Sequence, residues 1–293
     1  MREHMHKSDP ERRMRKRFPD NPLYKPEVPK DAERGFPLLQ ISNQFFSMDD
    51  LILKDDLKTR IRYIIDENVK SKKLYAVGMK PKQKILFCGP PGTGKTLTAK
   101  IISSVLGYQF VYIMFDSIVS SLLGETATNL RKIFSFIENG KYVVLFDEFD
   151  IVGKKRDDPH EHGEVKRVVN NFIQMLDTYK GESIIIAATN HPQLLDTAVW
   201  RRFDEILYLD LPDSEQRKKL FKKYLSYIDT VEDYSIPSLS RKTNGYSAAD
   251  IAQICEDSIR HSIIDDRSIV NNDDLKWSLL EQKRRKSAIS KTQ

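Results

Sequence analysis

Short apolar runs alternate with amphipathic segments through the middle of the chain. Five runs have the length of a strand and are almost continuously apolar: 85–88, 110–114, 142–146, 183–188 and 205–209. Helical spacing of apolar residues fills the intervals near 94–106, 126–138 and 163–178. Apolar strands joined by helices are typical of a parallel sheet that is covered on both faces. The pattern predicts an α/β fold with a five-stranded parallel sheet.

The segments on either side of this region have different patterns. Residues 1–35 are polar, rich in charge and proline, and lack periodicity, which predicts a flexible basic N-terminal arm. Apolar residues recur at helical spacing from 55 to about 77, which predicts a helix before the sheet.

The strand-like runs stop after Pro212. Helical patterns follow near 214–227, 247–263 and 272–282. We therefore predict three further parts of the chain: an α/β domain over 36–211, a small α-helical domain over 212–282 and a basic C-terminal tail over 283–293.

Composition fits a globular protein with one or two domains. The chain has 293 residues, of which 40% are hydrophobic and 31% charged, so it can bury a core. No apolar run approaches the roughly 20 residues of a membrane span, and the start of the chain lacks the apolar core of a signal peptide. Two cysteines, Cys88 and Cys255, cannot form a disulfide framework, so we expect a cytoplasmic location.

The net charge of +6 is concentrated in two basic clusters. One lies at 12–17 and the other at 283–286. Basic clusters can contact nucleic acid or another anionic surface, or they can be solvated tails. Neither cluster carries the interleaved aromatic residues of a base-stacking surface, which favours the solvated alternative over a nucleic-acid partner.

The first candidate for chemistry is the sequence G-P-P-G-T-G-K-T at 89–96, between an apolar run and a helical segment. Between a strand and a helix, a glycine-rich turn binds the phosphates of a nucleoside triphosphate through its backbone N–H groups. The alternative is an ordinary turn, which does not need a strand before it and a helix after it. Lys95 would reach the β- and γ-phosphates, and the Thr96 hydroxyl would hold Mg²⁺. The expected phosphate-binding residues are Pro91, Gly92, Thr93, Gly94, Lys95, Thr96 and Leu97.

A second motif consists of the apolar run 142–146 and the two carboxylates that directly follow it, Asp147 and Glu148. Two carboxylates at a strand end can simply meet solvent, but after a phosphate-binding loop they match the Walker B pattern. Asp147 would then bind Mg²⁺ and Glu148 would polarise the attacking water.

Two later positions extend the candidate site. Asn190 follows the run 183–188, where its amide would orient the water or sense the γ-phosphate, or else belong to a plain turn. Arg201 and Arg202 precede the run 205–209. They are either surface charges or arginines that reach the γ-phosphate of a neighbouring subunit, which would make oligomerisation a functional requirement.

In this order, these motifs resemble the AAA branch of the AAA+ ATPases. The sequence G-Y-S-A-A-D at 245–250 and the helical segment 163–172 agree with that branch. The resemblance covers about 36–282 and is greatest to compact stand-alone bacterial AAA ATPases. It implies a P-loop NTPase fold with a helical lid, and a homo-oligomeric ring, usually a hexamer, that binds ATP and Mg²⁺ at subunit interfaces.

The resemblance also implies residue roles. Asn190 corresponds to sensor 1, and Arg201 and Arg202 lie in the arginine-finger segment. Family contacts to adenine correspond to Leu51, Ile52, Leu220, Tyr224, Ala248 and Ala249. The pore-loop position is occupied by Leu122, Leu123 and Gly124, where relatives carry an aromatic residue in place of Leu122. Leucine offers less contact area for gripping a polypeptide.

The sequence His160-Glu161-His162 does not have the spacing that places two histidines on one helical face, so we expect no metalloprotease site there. The leading hypothesis is a Mg²⁺-dependent ATPase ring that remodels or unfolds a protein substrate. The alternative is an ATPase switch that controls a separate effector, such as a partner protease or nuclease, without threading. A DNA-dependent motor is a third hypothesis, which the motif set does not favour.

Overall fold

The computed structural model describes residues 28–31, 35–114, 125–149, 159–226, 229–230 and 235–290. The predicted pore-loop residues Leu122, Leu123 and Gly124 lie outside the described residues, as do residues 1–27 of the predicted arm. The side chains of His160, Glu161 and His162 lie outside them as well.

A six-stranded sheet forms the centre of the larger domain. Its strands are β1 (Gln40–Ser42), β2 (Lys84–Cys88), β3 (Gln109–Met114), β4 (Tyr142–Asp147), β5 (Ile184–Thr189) and β6 (Glu205–Tyr208). The strand order is β1-β3-β4-β5-β2-β6, and β2 to β6 are parallel. The five parallel strands confirm the predicted α/β fold. The antiparallel β1 is an addition, since three residues are too short to show an alternating pattern.

Helices cover both faces of this sheet. The helices of this domain are α1 (Asp55–Val69), α2 (Ser71–Ala76), α3 (Lys95–Leu106), α4 (Glu125–Glu138), α5 (Pro159–Thr178) and α6 (Thr197–Trp200). Successive strand residues point to opposite faces. Ile85 and Phe87 therefore pack with α1 and α3, whereas Leu86 packs in the cluster that contains α4 and α5. This two-sided burial explains why the strands are almost continuously apolar.

The second domain contains α7 (Ser214–Leu225), α8 (Ile236–Lys242), α9 (Ala248–Ile264) and α10 (Asn272–Ser290). Its core includes Leu220, Phe221 and Ile254. The expectation that strands stop after Pro212 is wrong, because β7 (Asp229–Thr230) pairs in parallel with β8 (Ile269–Val270). Helix α8 was not predicted, since its seven residues are too few for clear periodicity.

The predicted basic tail at 283–293 also differs from the structure. Helix α10 continues to Ser290, well beyond the predicted end at 282. Arg285 Nη1 lies 2.7 Å from Asp257 Oδ2, and Lys286 Nζ lies 2.9 Å from Asp250 Oδ2. These two basic residues therefore belong to the packing of the second domain.

The end of the predicted N-terminal arm is docked on the larger domain. Lys30 forms a β-bridge with Pro37. Asn129 Nδ2 on α4 donates to Asp31 Oδ2 at 2.8 Å, and both side chains are buried. Residues 28–31 are thus anchored to α4, although the sequence pattern placed them in a flexible segment.

Among the described residues, none of the helices combines the length and the apolar character that crossing a bilayer requires.

Candidate active site

The phosphate-binding loop joins the end of β2 to the start of α3. Three of its glycines have positive φ angles: 137° at Gly89, 75° at Gly92 and 96° at Gly94. A Cβ on Gly89 would lie 2.1 Å from the backbone oxygen of Leu209. The loop can therefore follow this path only because these positions carry no side chain.

Lys95 is the first residue of α3 and is only 7% exposed. Its Nζ donates to the backbone oxygens of Gly89 at 2.7 Å and Pro90 at 2.9 Å. It also donates to Asn190 Oδ1 at 2.8 Å. The structure thus brings the predicted phosphate-binding lysine and the predicted sensor asparagine into direct contact.

The remaining loop residues occupy different environments. Thr93 is buried and its Oγ1 donates to the backbone oxygen of Pro90 at 2.9 Å, which stiffens the turn. Pro91 is exposed. The Leu97 side chain packs partly buried against the core near α1 and α3.

Thr96 and Asp147 form the candidate magnesium site. Thr96 Oγ1 donates to Asp147 Oδ2 at 3.3 Å, across the gap between α3 and the end of β4. A hydroxyl and a carboxylate are oxygen ligands of the kind that Mg²⁺ prefers, so the residues present fit the ion. Tyr112 on β3 also donates to Asp147 Oδ2, at 3.4 Å. The sequence did not indicate Tyr112, because that contact depends on which strand lies beside β4.

Glu148 has an unusual backbone conformation. Its φ angle is +56°, a left-handed value that non-glycine residues rarely adopt, and its side chain is exposed. Its N–H donates to Asp147 Oδ1 at 3.0 Å. Strained backbone of this kind clusters at functional sites, where the surrounding structure holds it in place.

The second domain touches the loop directly. The N–H of Ala249 donates to the backbone oxygen of Gly92 at 3.0 Å. A Cβ on Gly92 would lie 2.6 Å from Ser247 Oγ, so glycine is required for this close approach as well. The start of α9 therefore rests on the phosphate-binding loop.

Most of the predicted adenine contacts belong to the core of the second domain or pack against it. Leu220 lies in the core cluster of the second domain, and Ile52, Tyr224 and Ala248 pack against that cluster. Leu51 is buried in the neighbouring cluster of the larger domain. Ile52, from the segment before the sheet, thus packs on the second domain, which also meets the phosphate-binding loop through Ala249.

An ion pair joins the two domains and was not predicted from the sequence. Lys223 Nζ on α7 lies 2.8 Å from Asp50 Oδ1 and donates to the Asp50 backbone oxygen at 3.0 Å. Burial raises the pKa of Asp50, but the hydrogen bonds and charge of Lys223, with the N–H of Ser47, hold it below its ordinary value. The carboxylate therefore stays ionised directly before Leu51.

Comparison with known proteins assigns the chain to a family. A model of the ATPase family associated with various cellular activities (AAA) matches residues 85–211, and a model of the AAA+ lid domain matches residues 233–277. A protein of Methanocaldococcus jannaschii, named by homology as a 26S proteasome regulatory subunit, is 30% identical over 88% of this chain and 68% of its own length. The chain belongs to the AAA family of ATPases.

Two further AAA relatives are similar. An uncharacterised AAA family ATPase of Sinorhizobium fredii is 40% identical over 72% of this chain. A proteasome-activating nucleotidase of Methanopyrus kandleri is 33% identical over 78% of this chain. The chain spans 63% of the first relative and 54% of the second.

The paired arginines of this AAA chain lie at the surface. Arg201 and Arg202 follow the short helix α6, whose start is capped by Asp196 through a 2.8 Å hydrogen bond from the Ala198 N–H. Arg202 Nε lies 2.9 Å from Asp177 Oδ2 on α5, and both side chains are substantially exposed. Both arginines are thus accessible to a neighbouring molecule.

The two cysteines have a structural role in packing. Burial raises the pKa of the Cys88 thiol to about 11, against the opposing effect of the Lys95 charge. Burial likewise raises the pKa of Cys255 to about 12. Both thiols therefore stay protonated near neutral pH and are poor nucleophiles.

Proposed function

We propose that the chain hydrolyses ATP with Mg²⁺ as part of an oligomeric ring and couples hydrolysis to remodelling or unfolding of a protein substrate. The observation that carries the proposal is the convergence of Lys95, Thr96, Asp147 and Asn190 at the carboxyl ends of β2, β4 and β5. Ligands of open parallel sheets bind at that edge. The names of the archaeal relatives, which refer to the proteasome, support a protein as the target.

The chain's own residues divide the chemistry among them. Backbone N–H groups of 91–96 and the positive end of α3 bind the phosphates, and Lys95 neutralises the β- and γ-phosphates. Thr96 and Asp147 hold Mg²⁺, which when bound neutralises charge on the phosphate oxygens. Leu51, Ile52, Leu220, Tyr224, Ala248 and Ala249 enclose the adenine.

Glu148 and Asn190 act in the hydrolysis step. Glu148 accepts a proton from the attacking water as the water oxygen bonds to the γ-phosphorus. The bond from that phosphorus to the oxygen bridging the β-phosphate breaks, which leaves ADP and phosphate. Asn190 orients the water, and its contact with Lys95 couples the two groups that sense the γ-phosphate.

The exposed arginines complete the site from a neighbouring subunit. Arg201 or Arg202 of one chain stabilises the negative charge that develops on the γ-phosphate bound by the next chain. A head-to-tail contact that places each arginine at the next loop forms a ring when its rotation closes. We propose six subunits and a cytoplasmic location.

The variant Glu148→Gln tests this proposal. It removes the proton acceptor but keeps the shape, so we expect it to bind ATP and assemble while turnover falls about a hundredfold or more. Turnover and the mass of the assembly in ATP are the measurements. Glu256→Gln on α9 also removes an exposed carboxylate and serves as the control. Wild-type turnover in Glu148→Gln would contradict the assignment.

The anchored N-terminal segment supports a second candidate, an ATPase switch that responds to a partner without threading. Asp31 joins this segment to α4, the helix that begins directly after the predicted pore loop. Force or binding at residues 1–27 would therefore reach α4. Deletion of 1–27, which leaves Asp31 in place, is compared with Leu122→Ser. Loss of partner response only on deletion supports the switch, and loss of substrate unfolding only with Leu122→Ser supports threading.

A further inference from the structure

The C-terminal part of α10 holds the first turn of α9. Lys286 Nζ lies 2.9 Å from Asp250 Oδ2 and 4.6 Å from the centre of the Tyr246 ring. Gln282, which is 6% exposed, donates from Nε2 to the other carboxylate oxygen, Asp250 Oδ1, at 2.7 Å. Both oxygens of one carboxylate are thus held by one helix.

The same carboxylate shapes the start of α9. The N–H of Ser247 donates to Asp250 Oδ2 at 2.9 Å, and the N–H of Asp250 donates to Ser247 Oγ at 3.2 Å. This reciprocal pair is a capping box, which fixes the path of the chain into the helix. Burial raises the pKa of Asp250, but Lys286 and Ser247 hold it below its ordinary value, so the carboxylate stays ionised.

The first turn of α9, which Ser247 caps, lies against the phosphate-binding loop. Ala249 donates its N–H to the Gly92 oxygen at 3.0 Å, and Ser247 Oγ leaves no room for a Cβ on Gly92. A continuous series of contacts therefore runs from Lys286 through Asp250 and Ser247 to Gly92.

We propose that Lys286 and Gln282 are positioning residues for nucleotide binding, which act by holding Asp250 so that the first turn of α9 stays on Gly92. The inference rests on the proposed binding of ATP at this loop. Neither residue belongs to the phosphate-binding loop or to the residues assigned to bind adenine. Lys286, which sequence analysis placed in a basic tail, and Gln282, the last residue of the predicted helical domain, thereby help to set how the phosphate-binding loop lies against α9.

A neighbouring ion pair allows a matched comparison. Arg285 Nη1 joins the same helix to Asp257 Oδ2 on α9, at 2.7 Å, further along α9 than the turn that meets Gly92. Arg285→Ala and Lys286→Ala therefore each remove one cation that ties α10 to α9. Only Lys286→Ala removes a contact of the capped turn. Lys283→Ala removes an exposed charge from the same helix and serves as a charge control.

The experiment measures ADP and ATP affinity by titration calorimetry, with KM and kcat for ATP and the unfolding temperature, on the full chain. A partly exposed ion pair with a cation–π contact predicts that Lys286→Ala weakens nucleotide affinity and raises KM by about threefold to tenfold. The value of kcat stays within about twofold, because no group that acts in the transition state is lost. Lys286→Arg keeps the charge and restores affinity.

Arg285→Ala is expected to lower the unfolding temperature as much as Lys286→Ala while leaving nucleotide affinity unchanged, and Lys283→Ala to match wild type in both. Wild-type affinity in Lys286→Ala, or an equal loss of affinity in Arg285→Ala, would overturn the positioning role and leave the proposed function standing. Wild-type protein that binds neither ATP nor ADP would overturn the proposed function itself, and the positioning role with it.

Discussion

Lys95 is almost fully buried, and its ammonium group has oxygen acceptors in Gly89, Pro90 and Asn190. The first two acceptors are backbone atoms of the loop itself. The path of the loop also depends on Gly89, its first residue, because φ there is 137° and the backbone of Leu209 lies where a Cβ would be. At the scale of single residues, the candidate site therefore depends on a backbone conformation at Gly89 that only glycine can adopt.

Gly89→Ala tests that dependence. A methyl group 2.1 Å from the Leu209 oxygen must displace backbone, so we expect a larger loss of stability than from unfavourable φ alone, and weaker nucleotide binding. Gly78→Ala is the matched control, because Gly78 has a φ of +75° but nothing within 4 Å of the added Cβ. That control should lose about 1–2 kcal/mol. Equal unfolding temperatures for the two variants would refute the steric argument.

At the scale of elements, helices α9 and α10 are joined by a charged cluster as well as by apolar packing. Asp274 is fully buried at the start of α10. It accepts two hydrogen bonds from Arg267, at 2.7 and 2.6 Å, and lies 2.6 Å from His261 Nδ1. The Arg267 guanidinium also lies 2.9 Å from Asp265 Oδ2, so it pairs with both carboxylates of the cluster. We therefore interpret the cluster as a structural link within the second domain.

This cluster predicts that the stability of the fold depends on pH. The Arg267 hydrogen bonds hold the pKa of Asp274 well below its ordinary value of 3.8. A carboxyl group whose pKa is lower in the folded state than in the unfolded state stabilises the fold at pH values above its unfolded-state pKa. This contribution is lost as the pH falls towards the folded-state pKa. Asp274→Asn should therefore cost about 1–3 kcal/mol at pH 7, and progressively less below pH 3.8. Thermal unfolding across pH checks this, and a pH-independent difference would contradict it.

The parallel strands were predictable because burial on both faces makes them continuously apolar. Asp147 was predictable because it directly follows such a run, Asn190 because it lies two residues after one, and Lys95 because it belongs to the glycine-rich loop that follows one. The contacts of Tyr112 with Asp147 and of Lys223 with Asp50 were not, since each joins residues far apart in the chain. The paired strands β7 and β8 have two residues each, too few for any periodic signal. Helix α10 passed its predicted end because its basic residues find acidic partners on α9.

At the scale of the whole molecule, we propose that a neighbouring subunit completes the site at each phosphate-binding loop. Lys95, Thr96, Asp147 and Asn190 meet within one chain, whereas Arg201 and Arg202 lie exposed beyond α6. We therefore expect that ATP turnover belongs to the interface between two subunits. A variant that lacks the loop lysine and a variant that lacks both arginines should each be inactive, for different reasons.

Mixing these two variants tests the shared site directly. Lys95→Ala chains keep their arginines, and chains with Arg201→Ala and Arg202→Ala keep their loops. Random equal mixing should make about a quarter of the interfaces complete, so turnover should recover to about that fraction of wild type. The measurement is ATP hydrolysis against mixing ratio, with native mass spectrometry to show mixed rings. Mixed rings that stay as inactive as either variant would contradict the shared site.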